Sequence, residues 1–138
     1  KISLLHGVDM TEASILEMKQ CLSDKFAEKE IILKCKADNF SVSKGFLERN
    51  KKWLLESYDM SLFMGIFHHL KTEAEWEREI SPLIQRTNCY IVSRGACFQA
   101  PAFRAWIKKY GFDLAYEKKG LTEHPVGTLT IFQRQIGI

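Results

Sequence analysis

Two adjacent histidines, His68 and His69, stand just past an apolar run of strand length; from Tyr58 to Leu70 the chain reads YDMSLFMGIFHHL. An imidazole titrates near working pH, so either ring could serve as a general base that takes a proton from an acceptor hydroxyl or amine. The plainer alternative is one polar pocket-lining residue and one helix-entry residue. A metal pair fits less well, because adjacent histidines on an extended segment point apart and no carboxylate cluster accompanies them. Two acids occupy comparable places. Asp9 closes the apolar segment ISLLHGV, and Asp38, followed by Asn39, closes IILKC. Asp9 could equally cap a following helix, and Asp38-Asn39 could be an ordinary turn.

These groups can act together only if each ends a strand of one open α/β sheet, where ligands bind outside the carboxyl ends. The apolar patterning predicts such a sheet. Ile2 to Val8 is a short strand, after which Ile15, Met18, Leu22 and Phe26 recur at helical spacing, with Asp9 and Glu12 matching a capping box. Ile31 to Cys35 is a second strand. From Ser43 to Glu56, Phe46, Leu47, Trp53 and Leu54 trace one face of an amphipathic helix, with Asn50 out of pattern and Lys44, Glu48, Arg49, Lys51 and Lys52 forming a solvated back. That interrupted charge and the buried aromatics favour a helix face over an RNA-binding patch.

The central strand spans Met60 to Met64. Thr72 to Arg86 is a further helix with a capping box at Thr72 and Glu75 and a face of Trp76, Ile80, Leu83 and Ile84, which Pro82 should kink or divide. Cys89 to Ser93 is the fourth strand. Pro101, the apolar face Phe103, Trp106, Ile107 and Tyr110, the last-turn Lys108 and Lys109, and Gly111 mark the last helix. Phe112 to Glu117 and Gly127 to Gln133 alternate around a turn-rich KKGLTEHP and predict a closing antiparallel hairpin. The order β-α-β-α-β-α-β-α-β-β implies an α/β fold with a mainly parallel, Rossmann-like sheet, helices on both faces and an antiparallel strand at the end.

At 138 residues and 46% hydrophobic content the chain builds one core, and residues 1–138 are expected to form a single domain. The net charge of +3 is too mild to single out a nucleic-acid or membrane partner. Four cysteines without a C-x-x-C pair predict buried or incidental thiols in a reducing compartment. The longest apolar run is far short of a membrane span, and the N-terminus lacks the shape of a signal peptide; a soluble, cytoplasmic protein is expected.

Taken in order, these segments resemble the class I S-adenosylmethionine-dependent methyltransferases over essentially the whole chain, from that family's second strand onward. Gly7-Val8-Asp9-Met10 resembles the second-strand motif, whose acid binds the cofactor's ribose hydroxyls and whose next residue packs on adenine. Ala37-Asp38-Asn39-Phe40 resembles the segment after the third strand, where an Asp meets the adenine amino group. YDMSLFMGIFHHL resembles the fourth-strand motif, and Tyr110-Gly111-Phe112 with the last two strands resembles the family's ending. The resemblance implies S-adenosyl-L-methionine as cofactor, held by Asp9, Met10, Asp38 and Asn39, with Phe63, Met64, Gly65 and His68 facing the reacting end.

The family's first strand and glycine-rich loop have no counterpart. A ribose-binding acid lies roughly 20 residues after such a loop, so with Asp9 in that role the loop belongs before Lys1, and an N-terminally incomplete catalytic domain is expected. The alternative register takes Ile2 to His6 as the first strand and Asp38 as the ribose acid, but Gly7 alone makes no glycine loop.

Two functions follow. One is methyl transfer to an oxygen, nitrogen or carbon acceptor, expected to be a small molecule, with nucleic acid or protein as other acceptors; in-line positioning and desolvation do most of such work, so a base is not obligatory. The other is a non-catalytic domain of the same fold that serves as a binding or scaffolding module. Acceptor identity does not follow from fold.

Overall fold

The computed structural model describes residues 4–9, 11–26, 32–38, 45–64, 70–95, 100–120 and 128–137. The chain divides into two compact units, Lys1–Ser43 and Lys44–Ile138. The element order β1(Leu4–Asp9), α1(Glu12–Phe26), β2(Ile32–Ala37), α2(Phe46–Asn50), β3(Tyr58–Met64), α3(Glu73–Glu79), α4(Ser81–Gln85), β4(Thr87–Arg94), α5(Pro101–Lys108), β5(Phe112–Lys118), β6(Leu129–Arg134) matches the expected alternation.

In the first unit β1 and β2 run parallel, in a register that sets His6 beside Lys34 and Asp9 beside Ala37. A parallel neighbour requires a crossover, and α1 supplies it. The helix sits close on the sheet: a Cβ on Gly7 would stand 2.6 Å from Met18 Sδ and 3.3 Å from Cys35 Sγ, so a larger residue there would make the flexible Met18 side chain shift. The Cys35 thiol meets Met18 Sδ at 3.8 Å, and burial raises its pKa above the ordinary value.

In the second unit the sheet order is β3-β4-β6-β5, with β3 parallel to β4 and β6 antiparallel to both its neighbours. The closing hairpin thus inserts its second strand between β4 and β5. Ser61, Phe63, Ile91, Ser93 and Phe132 turn to one face, where α3, α4 and α5 bring Trp76, Ile80, Ile84, Phe103, Trp106 and Ile107 into one buried core. Trp76, Phe103 and Trp106 stack edge to face or tilted at centroid distances of 5.2 to 5.7 Å, a geometry that aligns ring edges with ring faces. Gly111 leaves α5 at φ +83, the left-handed turn that glycine adopts without a Cβ penalty.

The break between α3 and α4 falls where Pro82 predicted it. Ile80 leaves helical geometry at φ −121, and Pro82 enters the first turn of α4, where its missing N–H costs nothing. The capping box of Thr72 and Glu75 forms in full: Glu75 N–H donates to Thr72 Oγ1 at 3.2 Å, and Glu75 Oε2 accepts from Thr72 N–H at 3.0 Å.

Two local expectations are corrected. The helix expected from Ser43 to Glu56 stops at Asn50, because the buried Asn50 side chain donates to the Phe46 carbonyl at 3.0 Å and the chain leaves through turn bonds from Trp53 and Leu54 to the Asn50 carbonyl. Arg49, placed on the solvated back, instead reaches fully buried Glu79 at 3.3 Å. Of the two readings open for the cysteines, buried or incidental, the exposed Cys21 and Cys89 fit the second.

Candidate functional site

Asp9 and Asp38 end neighbouring parallel strands. The ladder pairs Asp9 with Ala37 and continues one step further, where the Asp38 N–H donates to the Asp9 carbonyl at 2.7 Å. Both carboxylates therefore stand at the same edge, the carboxyl end of β1 and β2. Asp38 is buried, and Asp9 is half-buried.

The side chain of Asp9 does not cap α1. Thr11 does: its Oγ1 accepts from the Ser14 N–H at 3.2 Å and its carbonyl from the Ile15 N–H at 3.2 Å. Asp9 Oδ1 instead accepts the Thr11 N–H at 3.3 Å, which aims the carboxylate across the start of the helix; among the described residues Oδ2 accepts nothing. The predicted Asp9–Glu12 box gives way because β1 holds Asp9 in an extended strand through its pairing with Ala37, two residues too early for a cap. Thr11 is the residue that sequence reasoning missed, and its signal was a hydroxyl three residues before Ser14.

At the carboxyl ends of β3 and β4 the register pairs Phe63 with Ser93 and Met64 with Arg94. The Phe63 ring belongs to the core, so only its main chain is available to a ligand, whereas Met64 and Arg94 are exposed. Met10, Asn39, Gly65, His68 and His69 lie outside the described residues. Among the described residues no group of three His, Cys, Asp or Glu side chains could hold a metal ion. No helix among them is long and apolar enough to cross a membrane.

The same arrangement of strands and helices occurs in the magnesium protoporphyrin IX methyltransferase ChlM of Synechocystis PCC 6803, solved with bound SAM: the TM-score is 0.69 at 18% identity, over 96% of this chain and 60% of that one. The chain has the class I methyltransferase fold. This methyltransferase fold is shared with the N-methyltransferase NodS of Bradyrhizobium japonicum WM9, at TM-score 0.63 and 11% identity over 94% of this chain and 72% of that one. It is shared too with an rRNA methylase of Streptococcus thermophilus, at TM-score 0.57 and 11% identity over 99% and 88%. No protein-family model matches the sequence, and no curated protein does. The chain spans 60% of the length of ChlM.

Within the methyltransferase fold, a parallel sheet offers its ligands the carboxyl ends of its strands. Asp9 and Asp38 stand at such ends in the first unit, and Met64 stands at one in the second.

Proposed function

We propose that the chain is the adenosine-binding and methyl-transfer part of an S-adenosylmethionine-dependent methyltransferase acting on a small-molecule acceptor. The observation that carries this reading is the placement of Asp9 and Asp38 one step apart at the carboxyl ends of two adjacent parallel strands, in a fold whose solved examples include one enzyme crystallised with SAM and with SAH.

The residues present fit the adenosine end of that cofactor. Asp9 keeps one carboxylate oxygen without a partner among the described residues, where it can accept a ribose hydroxyl, and its other oxygen is fixed by the Thr11 N–H. A carboxylate accepting from hydroxyls forms charge-assisted bonds about twice as strong as neutral ones. Asp38 would accept from the adenine amino group, and Met10 and Asn39 would contact the base as the resemblance implies. The bound sulfonium would supply the electrophilic methyl group. Phe63, Met64 and Gly65 would close the reacting end through main chain and apolar contact, which excludes water from the transfer. His68 or His69 would take the acceptor proton, where the acceptor has one to lose.

Chemical-shift mapping with millimolar S-adenosylhomocysteine tests the reading. Shifts should concentrate at Asp9, Thr11, Asp38 and the carboxyl end of β3. Binding is expected to be weak, because two acids account for ribose and adenine contacts alone. Shifts scattered over other surfaces, or none at saturating ligand, would sink it.

A further inference from the structure

Of the six arginines, five are tied down: Arg49 and Arg78 reach Glu79, Arg104 reaches Glu117, and Arg86 and Arg134 donate to main-chain carbonyls. The sixth, Arg94, is exposed and makes no such contact among the described residues. It closes β4 at the end where its ladder partner Met64 closes β3. A planar fork of N–H donors left open there suits a carboxylate or a phosphate, which it meets with two parallel hydrogen bonds.

Two further observations make that place a site. Leu129 pairs with Arg94 on one side and with Lys118 on the other, so the two cations lie at one level, on the same side of the sheet and about 10 Å apart. Lys118 is exposed as well and has no acid partner among the described residues. Glu117 beside it is taken by Arg104, and Asp113, toward the other end of β5, pairs with Lys108. Two cations at one level repel each other, and an anion between them relieves the repulsion. Directly after Arg94 the chain leaves room: Gly95 turns at φ +150, where a Cβ would meet nothing within 4 Å, and its N–H donates to the Thr128 carbonyl at 3.3 Å. Arg94 and Lys118 belong to the last paired row of their strands, so the site opens at the carboxyl rim and does not require either face of the sheet to be bare.

We propose that Arg94, assisted by Lys118, holds an anionic group of the methyl acceptor, a carboxylate or a phosphate. This rests on the methyltransferase reading above, with the reacting end at Phe63, Met64 and Gly65. The cofactor carries a carboxylate of its own, and distance decides between the two sources. A group held between Arg94 and Lys118 centres on β6, two strands and about 10 Å from β3, farther than the short methionyl chain carries that carboxylate from its sulfur.

Chemical-shift titration of the 138-residue chain at low ionic strength, with benzoate, inorganic phosphate and neutral benzamide as probes, tests this. Benzoate or phosphate should shift the Arg94 and Lys118 signals with a Kd of about 1–100 mM, benzamide should not, and added salt should weaken the effect. Arg94→Gln should weaken binding about fivefold and Lys118→Gln less, while Arg94→Lys keeps part of it. Melting temperatures should stay unchanged, because neither side chain has a partner to lose. S-adenosylhomocysteine, at concentrations that shift Asp9, should leave the anion bound at Arg94. Anions that shift every surface lysine alike, or bind Arg94→Gln as well as wild type, would overturn this inference alone. So would displacement of the anion by S-adenosylhomocysteine, which would give Arg94 to the cofactor's carboxylate. Anion binding at Arg94 with no response to S-adenosylhomocysteine anywhere would overturn it together with the methyltransferase reading.

Discussion

The main-chain N–H of Asp38 donates to the carbonyl of Asp9 at 2.7 Å, and that bond carries the ladder one step past the Asp9–Ala37 pair, so both acids stand at the carboxyl end of β1 and β2. Because Thr11 caps α1 and Asp9 does not, the Asp9 carboxylate can be altered without unravelling the helix. Asp9→Asn keeps an oxygen for the Thr11 N–H, so the melting temperature without cofactor should change by the equivalent of less than about 1 kcal/mol. Affinity for S-adenosylmethionine should fall by roughly 1.5–3 kcal/mol, on the order of 10- to 100-fold, since the amide turns a donor toward a hydroxyl donor. Calorimetry beside thermal melts separates the two effects. A variant that melts early yet binds as before would make Asp9 structural.

The order of elements was legible because each apolar run carried its own punctuation: Thr72 and Glu75 at a helix start, Pro82 at a break, Gly111 at a stop. What was not legible came from long-range partners. Asp9 and Thr11 are both good caps by type, and only the pairing of Asp9 with Ala37 decides between them. Arg49 reads as a solvated helix residue until Glu79, thirty positions away, buries beneath it. Four of the nine candidate residues, Asp9, Asp38, Phe63 and Met64, lie at or next to strand ends, where the apolar runs stop; Met10, Asn39, Gly65, His68 and His69 lie outside the described residues.

Glu79 is fully buried and bridges two helices, accepting from Arg78 at 2.6 Å and from Arg49 at 3.3 Å. Removing one partner of a buried pair costs more than the pair contributes, because the survivor keeps its desolvation penalty. Glu79→Ala should therefore destabilise the second unit by about 3 kcal/mol, a fall in melting temperature on the order of 10 °C. Arg78→Ala should cost under about 1 kcal/mol, as that guanidinium is 44% exposed and screened. Equal losses from both variants would contradict this ranking.

Tyr110 donates its hydroxyl to Glu77, which also accepts the Trp106 indole N–H at 2.7 Å. Burial first, and then the Glu77 hydrogen bond and charge, push the phenol up to about 12. The folded state thus holds its proton where the unfolded chain has lost it, and this contribution to stability drains away as pH rises above the ordinary value of 10. Ultraviolet difference titration of wild type against Tyr110→Phe should show the missing phenolate appearing near 12. Glu77→Gln should bring it down only part of the way, since burial remains. A Tyr110 that titrates at its ordinary value in the wild type would refute the contact.

His6 lies in β1 with Lys34 directly across the parallel ladder. Burial, and secondarily the Lys34 ammonium, lower its pKa below the ordinary 6.5. The unfolded chain then binds a proton at a pH where the folded chain does not, so stability is complete above pH 6.5 and declines as pH falls from there through the lowered value. Carboxylates titrate in the lower part of the same range, so the contrast must be with a variant. His6→Gln removes the titrating ring, and thermal melts between about pH 7.5 and about pH 5 should show wild type losing more stability than the variant. Replacing Lys34 by Met should reduce the wild-type slope without abolishing it, because burial is the larger cause. Parallel pH profiles for wild type and His6→Gln would show that the ring at position 6 titrates as it does in the unfolded chain.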